Sequence, residues 1–163
     1  MYTDFKRLQE FVDKMKSTSS LNEKKVIINS IKDDLFITKI LHYTYNPFIK
    51  YHITSKNCKK LNHLITKSPY DTIFNLLKKL NNRTFTGHDA VSRVNGFVVD
   101  NIHYKDLIFC IIDKDLKLRA SYSVINKVIT GLIPTFDVAL ATKYEPTFCD
   151  FENEEWLASR KLD

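Results

Sequence analysis

Two short segments of the sequence place basic residues beside a predicted helix start, a combination that suits phosphate binding. In one of them, Lys117 and Arg119 come shortly before Ser121 and Ser123, where a helix is predicted to begin. The first backbone N–H groups of a helix lack intrahelical partners, and the helix dipole adds partial positive charge, so this end attracts anions. Lys127 follows a turn or two later. These residues predict a contact with a phosphate group.

The other segment has the same parts in Arg83, Thr86 and Gly87. Thr86 is predicted to begin a helix, and Gly87 has no side chain to keep a phosphate away from the backbone. The two starts together suggest a paired phosphate clamp. The alternative for each start by itself is ordinary capping, because Ser and Thr are common N-cap residues in helices that bind nothing.

The charge distribution favours a polyanionic partner. The chain has 163 residues, a formal net charge of +6 and a pI of about 9.1. Residues 1–136 hold 22 Lys and Arg against 12 Asp and Glu, whereas residues 137–163 hold 3 against 7. A basic domain of this kind suits nucleic acid. Because 20 of the 25 basic residues are Lys, a merely solvated surface stays an alternative, above all for Lys56, Lys59 and Lys60.

Several other classes of protein are disfavoured. The three cysteines, Cys58, Cys110 and Cys149, are widely spaced and predict neither a disulfide framework nor a zinc site, and the histidines have no metal-ligand spacing. The charged N-terminal segment is unlike a signal peptide. No apolar run approaches the roughly 18 residues of a membrane span. We therefore expect a cytoplasmic protein without metal or membrane contact.

Apolar residues recur at helical spacing almost throughout the first 133 residues, which predicts an all-α domain. Ser20 and Glu23 form a predicted capping box, and Gly96 inside a helix predicts a close approach of another segment. Residues 54–67 are predicted as a loop, with one helical turn near Leu61 to Ile65 as an alternative. The helices are expected over 2–16, from Ser20, from Asp33 or Asp34, from Asn46-Pro47 to Ile53, from Ser68-Pro69, from Thr86, over 103–113 and from Ser121.

The character of the sequence changes near residue 134. The segment beyond it is acidic and irregular, and its Trp156 is predicted to lie in a short strand. We therefore predict a domain boundary, with a helical domain over 1–133 and an extended linker plus the beginning of a second domain over 134–163.

Four segments, taken in order, resemble one family. The most distinctive runs from Asp115 to Val128 and leads to the sequence Gly-Leu-Ile-Pro. Together the segments resemble the N-terminal part of T-even-phage-type ATP-dependent DNA ligases. They are residues 35–54, residues 83–97, residues 115–134, and Ala139-Leu140-Ala141 followed by Lys161-Leu162-Asp163.

The resemblance implies a helical DNA-binding domain followed by the first strand of a truncated adenylation domain. Domains of this kind hold nicked double-stranded DNA in the minor groove, mostly through phosphates, and serve DNA repair, replication and recombination. The implied partners are nicked duplex DNA and the remaining adenylation and OB-fold domains. The DNA contacts would come from the two helix starts described above.

The resemblance also implies a role for Lys161. In the family's K-x-D-G motif the lysine attacks the α-phosphate of ATP and becomes adenylated, so Lys161 would be the nucleophile, with ATP and Mg²⁺ serving the longer parent. The sequence ends at Asp163, before the motif glycine, and Ser159 stands where the family usually has Glu or Gln. We therefore expect no cofactor to bind these 163 residues and no ligation by them.

Two alternatives stay open. The chain could be a fragment of a complete ligase that is active only together with its missing catalytic part. It could also be a helical protein-interaction module whose basic surface meets an acidic partner.

Overall fold

The computed structural model describes residues 2–67 and 72–135, which form an all-α structure. The prediction of a helical domain is confirmed. Within the described part no strand occurs, and no helix has both the length and the apolar character needed to cross a membrane. The elements are α1 (Tyr2–Ser17), α2 (Leu21–Ser30), α3 (Leu35–Tyr45), α4 (Ser55–Lys60), α5 (Ile73–Asn81), α6 (Gly87–Asp100), a 3₁₀ turn (Ile102–Tyr104), α7 (Lys105–Ile112) and α8 (Tyr122–Val128).

The core is arranged around α1, which packs against α2 and α3. The ring of Phe5 stacks on that of Tyr104 at 5.4 Å between centroids and meets Phe36 edge-on at 5.7 Å. Such aromatic pairs add to the free energy of apolar burial. Helix α1 therefore joins the N-terminal helices to the turn before α7. Its apolar residues are all buried: Phe5, Leu8, Phe11, Val12 and Met15.

Helix α6 runs through the centre of the domain and organises the segment that follows α4. Asn95 is buried, and its side-chain amide donates to the backbone carbonyls of Cys58, Leu61 and Leu64. A Cβ atom at Gly96 would lie 1.8 Å from the carbonyl oxygen of Thr66. The predicted close approach at Gly96 is therefore confirmed, and only glycine fits there.

The predicted capping box of α2 is half correct. The Ser20 hydroxyl accepts the N–H of Glu23, as predicted. The Glu23 carboxylate, however, accepts a hydrogen bond from the Thr18 hydroxyl, and the same hydroxyl accepts the N–H of Ser20. Thr18 thus takes the place that the Glu23 side chain has in a capping box.

The short helix predicted after Asn46 is wrong, because residues 47–53 form a turn and an irregular segment. The Asn46 side chain accepts the N–H of Phe48 at 2.9 Å, a local bond that competes with helix formation. The amine of Lys114 donates to the carbonyls of Asn46 and Ile49 at 2.6 and 2.7 Å. A helix would need these carbonyls for its own hydrogen bonds.

The prediction of a loop over residues 54–67 is also wrong, because the segment contains α4. Thr54 begins the helix by accepting the N–H of Asn57 at 3.3 Å. Within this short helix Cys58 is the residue buried in the core, so the sequence carries too little apolar periodicity to reveal it.

Some of the remaining predictions about helices and strands fall on described residues and others lie outside them. Helix α5 is described from Ile73, with Thr72 as its N-cap, and the predicted start at Ser68-Pro69 lies outside the described residues. The predicted linker and strand also lie outside them from residue 136 onward. Helix α8 ends at Val128, and Gly131 in the turn that follows has a φ of +73°.

Candidate nucleic-acid interface

The segment between α7 and α8, residues 114–120, is called the connector below, and it alternates between core and surface. Leu116 and Leu118 are buried, whereas Lys117 and Arg119 are exposed. Both basic residues have positive φ, 58° and 51°. This conformation is unfavourable for residues with a side chain and persists only where the surroundings hold it, often at functional sites. The connector therefore fixes two cations at the surface just before α8.

The two cations of the connector differ in availability. Lys117 lies 2.5 Å from the Asp115 carboxylate, which also accepts the backbone N–H of Lys117. The side-chain hydrogen bond from Lys117 keeps the pKa of Asp115 below its usual value. Within residues 2–67 and 72–135, by contrast, the Arg119 guanidinium has no hydrogen-bond or ion-pair partner. Arg119 is therefore the cation of the connector that is more available to a ligand.

Ser121 occupies the predicted N-cap position of α8, but it does not cap the helix with its side chain. Its hydroxyl lies 2.7 Å from the hydroxyl of Ser123. Both serines are exposed, as is Lys127 on the same helix. The first N–H groups of α8 are thus left without a bond from the N-cap side chain, next to Arg119.

The start of α6 also has an N-cap side chain without a capping bond, and here the residue with positive φ next to the cap is a glycine. Thr86 is the N-cap and makes no capping bond with its side chain. Gly87 has a φ of +54°, and no atom lies within 4 Å of where its Cβ would be. Arg83, exposed and with a φ of 56°, precedes this start. The predicted open approach to the backbone at Gly87 is therefore present.

Aromatic and acidic side chains hold the surroundings of the α6 start in place. The guanidinium of Arg93 lies 4.1 Å from the ring centroid of Phe85 and pairs with Asp89 at 2.9 Å. Lys79 lies over the same ring at 5.9 Å. Arg93 is therefore committed to neighbours, whereas Arg83 extends into solvent.

The structure reveals further lysines beside these starts that the sequence prediction missed. Lys16, at the end of α1, lines a surface depression of about 490 Å³ together with Lys117 and Arg119. Lys78 and Lys79, in the last turn of α5, line another of about 370 Å³. Basic residues in a last helical turn usually serve the helix dipole, so the sequence held no signal that separates them from ordinary helix ends.

Two other lysines donate hydrogen bonds to backbone carbonyls and are therefore less available to a ligand. Lys24 is 2% exposed and donates to two carbonyls of the connector. Lys114 donates to three carbonyls around the α3 end, and burial lowers its pKa to about 8. Lys59, predicted to lie in a solvated loop, is in helix α4, and its amine lies 5.1 Å from the centroid of the Phe109 ring in α7.

The two helix starts are held by different neighbours. Helix α8 packs mainly against α2, whereas α6 packs against α4, α5 and α7. Their joint action as one clamp stays a prediction. Lys161 and Ser159 lie outside the described residues, and the adenylation chemistry assigned to Lys161 stays a prediction as well.

Neither a reactive thiol nor a metal cluster emerges from the described part of the chain. Burial raises the pKa of the Cys58 thiol to about 11, which keeps it protonated and unreactive near neutral pH. No group of three or more His, Cys, Asp or Glu residues there is placed to hold a metal ion. What the described residues do offer is exposed cations beside two helix starts whose N-cap side chains make no capping bond.

The chain is similar to two phage proteins. The chain is 27% identical to the DNA ligase of Enterobacteria phage T4 and, to the same degree, to that of phage T6. Each match covers 83% of this chain and 28% of the ligase, so the chain spans a little over a quarter of the length of these relatives. No protein-family model matches the chain. The predicted resemblance to T-even-type ligases is thereby confirmed as homology over most of the chain.

Proposed function

We propose that this chain binds nicked double-stranded DNA as the N-terminal DNA-binding domain of an ATP-dependent DNA ligase. The relatives are DNA ligases, and the described residues include exposed arginines beside two helix starts without a side-chain cap. One observation carries the proposal furthest: Arg119 is held with positive φ at the surface, directly before a helix start that its N-cap side chain leaves open. Roles in DNA repair, replication and recombination follow from this proposal.

The contacts would be to phosphates. Arg119 and Lys127 would pair with the DNA backbone near the N–H groups of α8, while Arg83 and the backbone at Gly87 would do so near α6. Lys117, Thr86, Ser121 and Ser123 would line the same contacts. Phosphate contacts orient a protein on the duplex but carry no sequence information. We therefore expect little sequence preference.

Nucleotide chemistry in this proposal belongs to a longer parent. Lys161 would accept AMP from ATP with the help of Mg²⁺, and the adenylation and OB-fold domains would complete the site. Transfer of label from ATP to Lys161 in a chain extended by these domains would test this part. Label on the 163-residue chain itself would instead support an active fragment.

A second candidate is a protein-interaction module that takes an acidic partner. An apolar cleft of about 220 Å³, lined by Cys58, Val98 and Phe109, is flanked by Lys59 and Lys105. Apolar patches rimmed by charge often mark protein contacts. This candidate predicts binding that depends on Lys59 and Lys105 rather than on Arg119.

The deciding experiment measures affinity for nicked duplex, continuous duplex and polyglutamate by fluorescence anisotropy. The proposal expects a preference for nicked over continuous duplex and weak binding of polyglutamate. It also expects weaker DNA binding by Arg119→Ala and unchanged DNA binding by Lys59→Ala/Lys105→Ala. Tight polyglutamate binding that survives Arg119→Ala and is lost in Lys59→Ala/Lys105→Ala would favour the protein-interaction candidate.

A further inference from the structure

Lys24 joins helix α2 to the connector from the inside of the molecule. Its side-chain nitrogen lies 3.1 Å from the carbonyl oxygen of Leu118 and 2.6 Å from that of Arg119. The residue is 2% exposed. A lysine is seldom buried to this extent, because an amine loses its hydration unless hydrogen bonds replace it. The two carbonyls supply that replacement.

The two carbonyls have a particular relation to Arg119. One belongs to the peptide group before its Cα, and the other belongs to the peptide group after it. The dihedrals φ and ψ of a residue describe how these two planar groups are rotated about its Cα. A single donor that holds both oxygens therefore restrains the two rotations jointly. Here it favours a conformation with a φ of 51°, which Arg would seldom adopt unaided.

We infer that Lys24 is a positioning residue for DNA binding, which keeps the backbone of Arg119 in the conformation that directs its guanidinium to the phosphate beside α8. This inference rests on the proposed function. Without the amine, two carbonyls lose their donor and Arg119 loses the bonds that favour positive φ. The peptide groups then rotate, and the guanidinium leaves the helix start.

Lys114 provides a matched control for a purely structural role. It is also a partly buried lysine whose nitrogen donates to backbone carbonyls, those of Tyr43, Asn46 and Ile49. None of these carbonyls belongs to Arg119. Loss of either lysine should lower the melting temperature, whereas only loss of Lys24 should act through Arg119.

The experiment is a double-mutant cycle on the 163-residue chain with nicked duplex as the probe. Lys24→Met removes the donors at similar volume and is measured in the wild-type and Arg119→Ala backgrounds, at several salt concentrations. We expect Lys24→Met to weaken binding about tenfold in the first background and less than about twofold in the second, since interacting residues are not additive. The log–log salt slope should fall by about one unit in the first background only. Lys114→Met should leave affinity within about twofold.

The outcomes separate the inference from the proposed function. If wild type binds and Arg119→Ala weakens binding, but Lys24→Met costs the same in both backgrounds or nothing in either, the inference is wrong and the proposed function stands. If wild type does not bind nicked duplex, the proposed function fails and the inference fails with it. Should Lys24→Met not fold, Lys24→Leu, which also removes the donors, takes its place in the same cycle with the same criteria.

Discussion

The described helices whose N-cap residue is Ser, Thr or Asp fall into two groups that differ in how their first N–H groups are bonded. In α2, α3, α4 and α5 the N-cap side chain accepts a backbone N–H of its own helix. In α6 and α8 the N-cap residues Thr86 and Ser121 make no such bond. The residue types do not explain the difference, because serine and threonine occur in both groups. The capped group begins at Ser20, Asp34, Thr54 and Thr72.

The residues that precede each helix start do differ between the two groups. Positive φ alone does not separate the groups, because His52 has it two residues before the capped start of α4. Both open starts, however, follow an exposed arginine with positive φ, Arg83 before α6 and Arg119 before α8. At a capped start the N-cap side chain bonds one or two of the first N–H groups. At an open start these N–H groups are left to water, and a phosphate can replace that water. Capping should therefore determine stability in the first group, and the open starts should determine DNA binding.

The largest expected effect concerns the cations of α8. The double variant Arg119→Ala/Lys127→Ala should lower affinity for nicked duplex by roughly one to two orders of magnitude at low salt and lower the salt slope by about two units, because two phosphate contacts are lost. The loss should be alike for unrelated DNA sequences. Its melting temperature should stay close to that of wild type, because both side chains are exposed. An unchanged salt slope would remove α8 from the interface.

The next effect concerns a capped start and should appear in stability alone. Asp34 accepts the N–H groups of Phe36 and Ile37 and pairs with Arg7 at 2.8 Å. Asp34→Ala should cost about 1–2 kcal/mol of unfolding free energy, the usual range for a lost N-cap. DNA affinity should not change. Equilibrium unfolding in urea, with anisotropy as the second readout, checks both halves.

The contribution of Asp34 should also depend on pH in a defined direction. Burial alone would raise the pKa of Asp34, but the hydrogen bonds from Arg7 and the backbone outweigh it and hold the pKa below its usual value. A carboxylate with a lowered pKa in the folded state stabilises fully above its unfolded pKa, and this stabilisation is lost as pH falls through the folded pKa. The stability difference between wild type and Asp34→Ala should therefore shrink below about pH 4. A difference that grows on acidification would contradict this account.

A smaller, mixed effect is expected at Gly87. Since no atom lies near its Cβ position, Gly87→Ala causes no collision, and its cost of about 1 kcal/mol comes from the positive φ. The methyl group should also hold a phosphate away from the backbone and weaken DNA binding a few-fold. Gly131→Ala is the matched control, with a φ of +73° and similarly open space. Equal DNA affinity in the two variants would show that α6 begins without a phosphate contact.

The smallest effect compares an open and a capped start by removing the N-cap hydroxyl of each. Ser121→Ala removes no capping bond and should change stability by less than about 0.5 kcal/mol. Thr54→Ala removes the bond to Asn57 and should cost about 1 kcal/mol. Thermal unfolding of the two variants in parallel measures the difference. Equal costs would mean that the open start of α8 is capped in solution.

Sequence patterns predicted the fold where the evidence was local. The apolar period of α1 and the start of α6 at Thr86 depend on residues close in the chain. The wrong prediction of a helix after Asn46 depends on a distant partner. Lys114 takes the carbonyls that a helix after Asn46 would have used, and no local pattern announces that contact.

The candidate site was predicted in its residues but not in its conformation. The sequence identified Arg119 and Ser121 through charge and a helix start, yet positive φ at non-glycine residues leaves no mark on composition. Lys24 was missed for a different reason, because its role depends on a contact with residues far along the chain. The availability of Arg119 relative to Lys117 likewise became apparent only from the pairing of Lys117 with Asp115.

The most direct measurement follows backbone amide signals by NMR while nicked duplex is added to the isotopically labelled chain. Phosphates that bind at the open helix starts must change the environment of those N–H groups before others. We predict that the amides of Gly87, His88, Tyr122 and Ser123 shift first, while those at the capped starts, such as Ile37 and Asn57, stay in place. Shifts confined to capped starts or to the apolar cleft at Cys58, with the four open-start amides unchanged, would contradict the account.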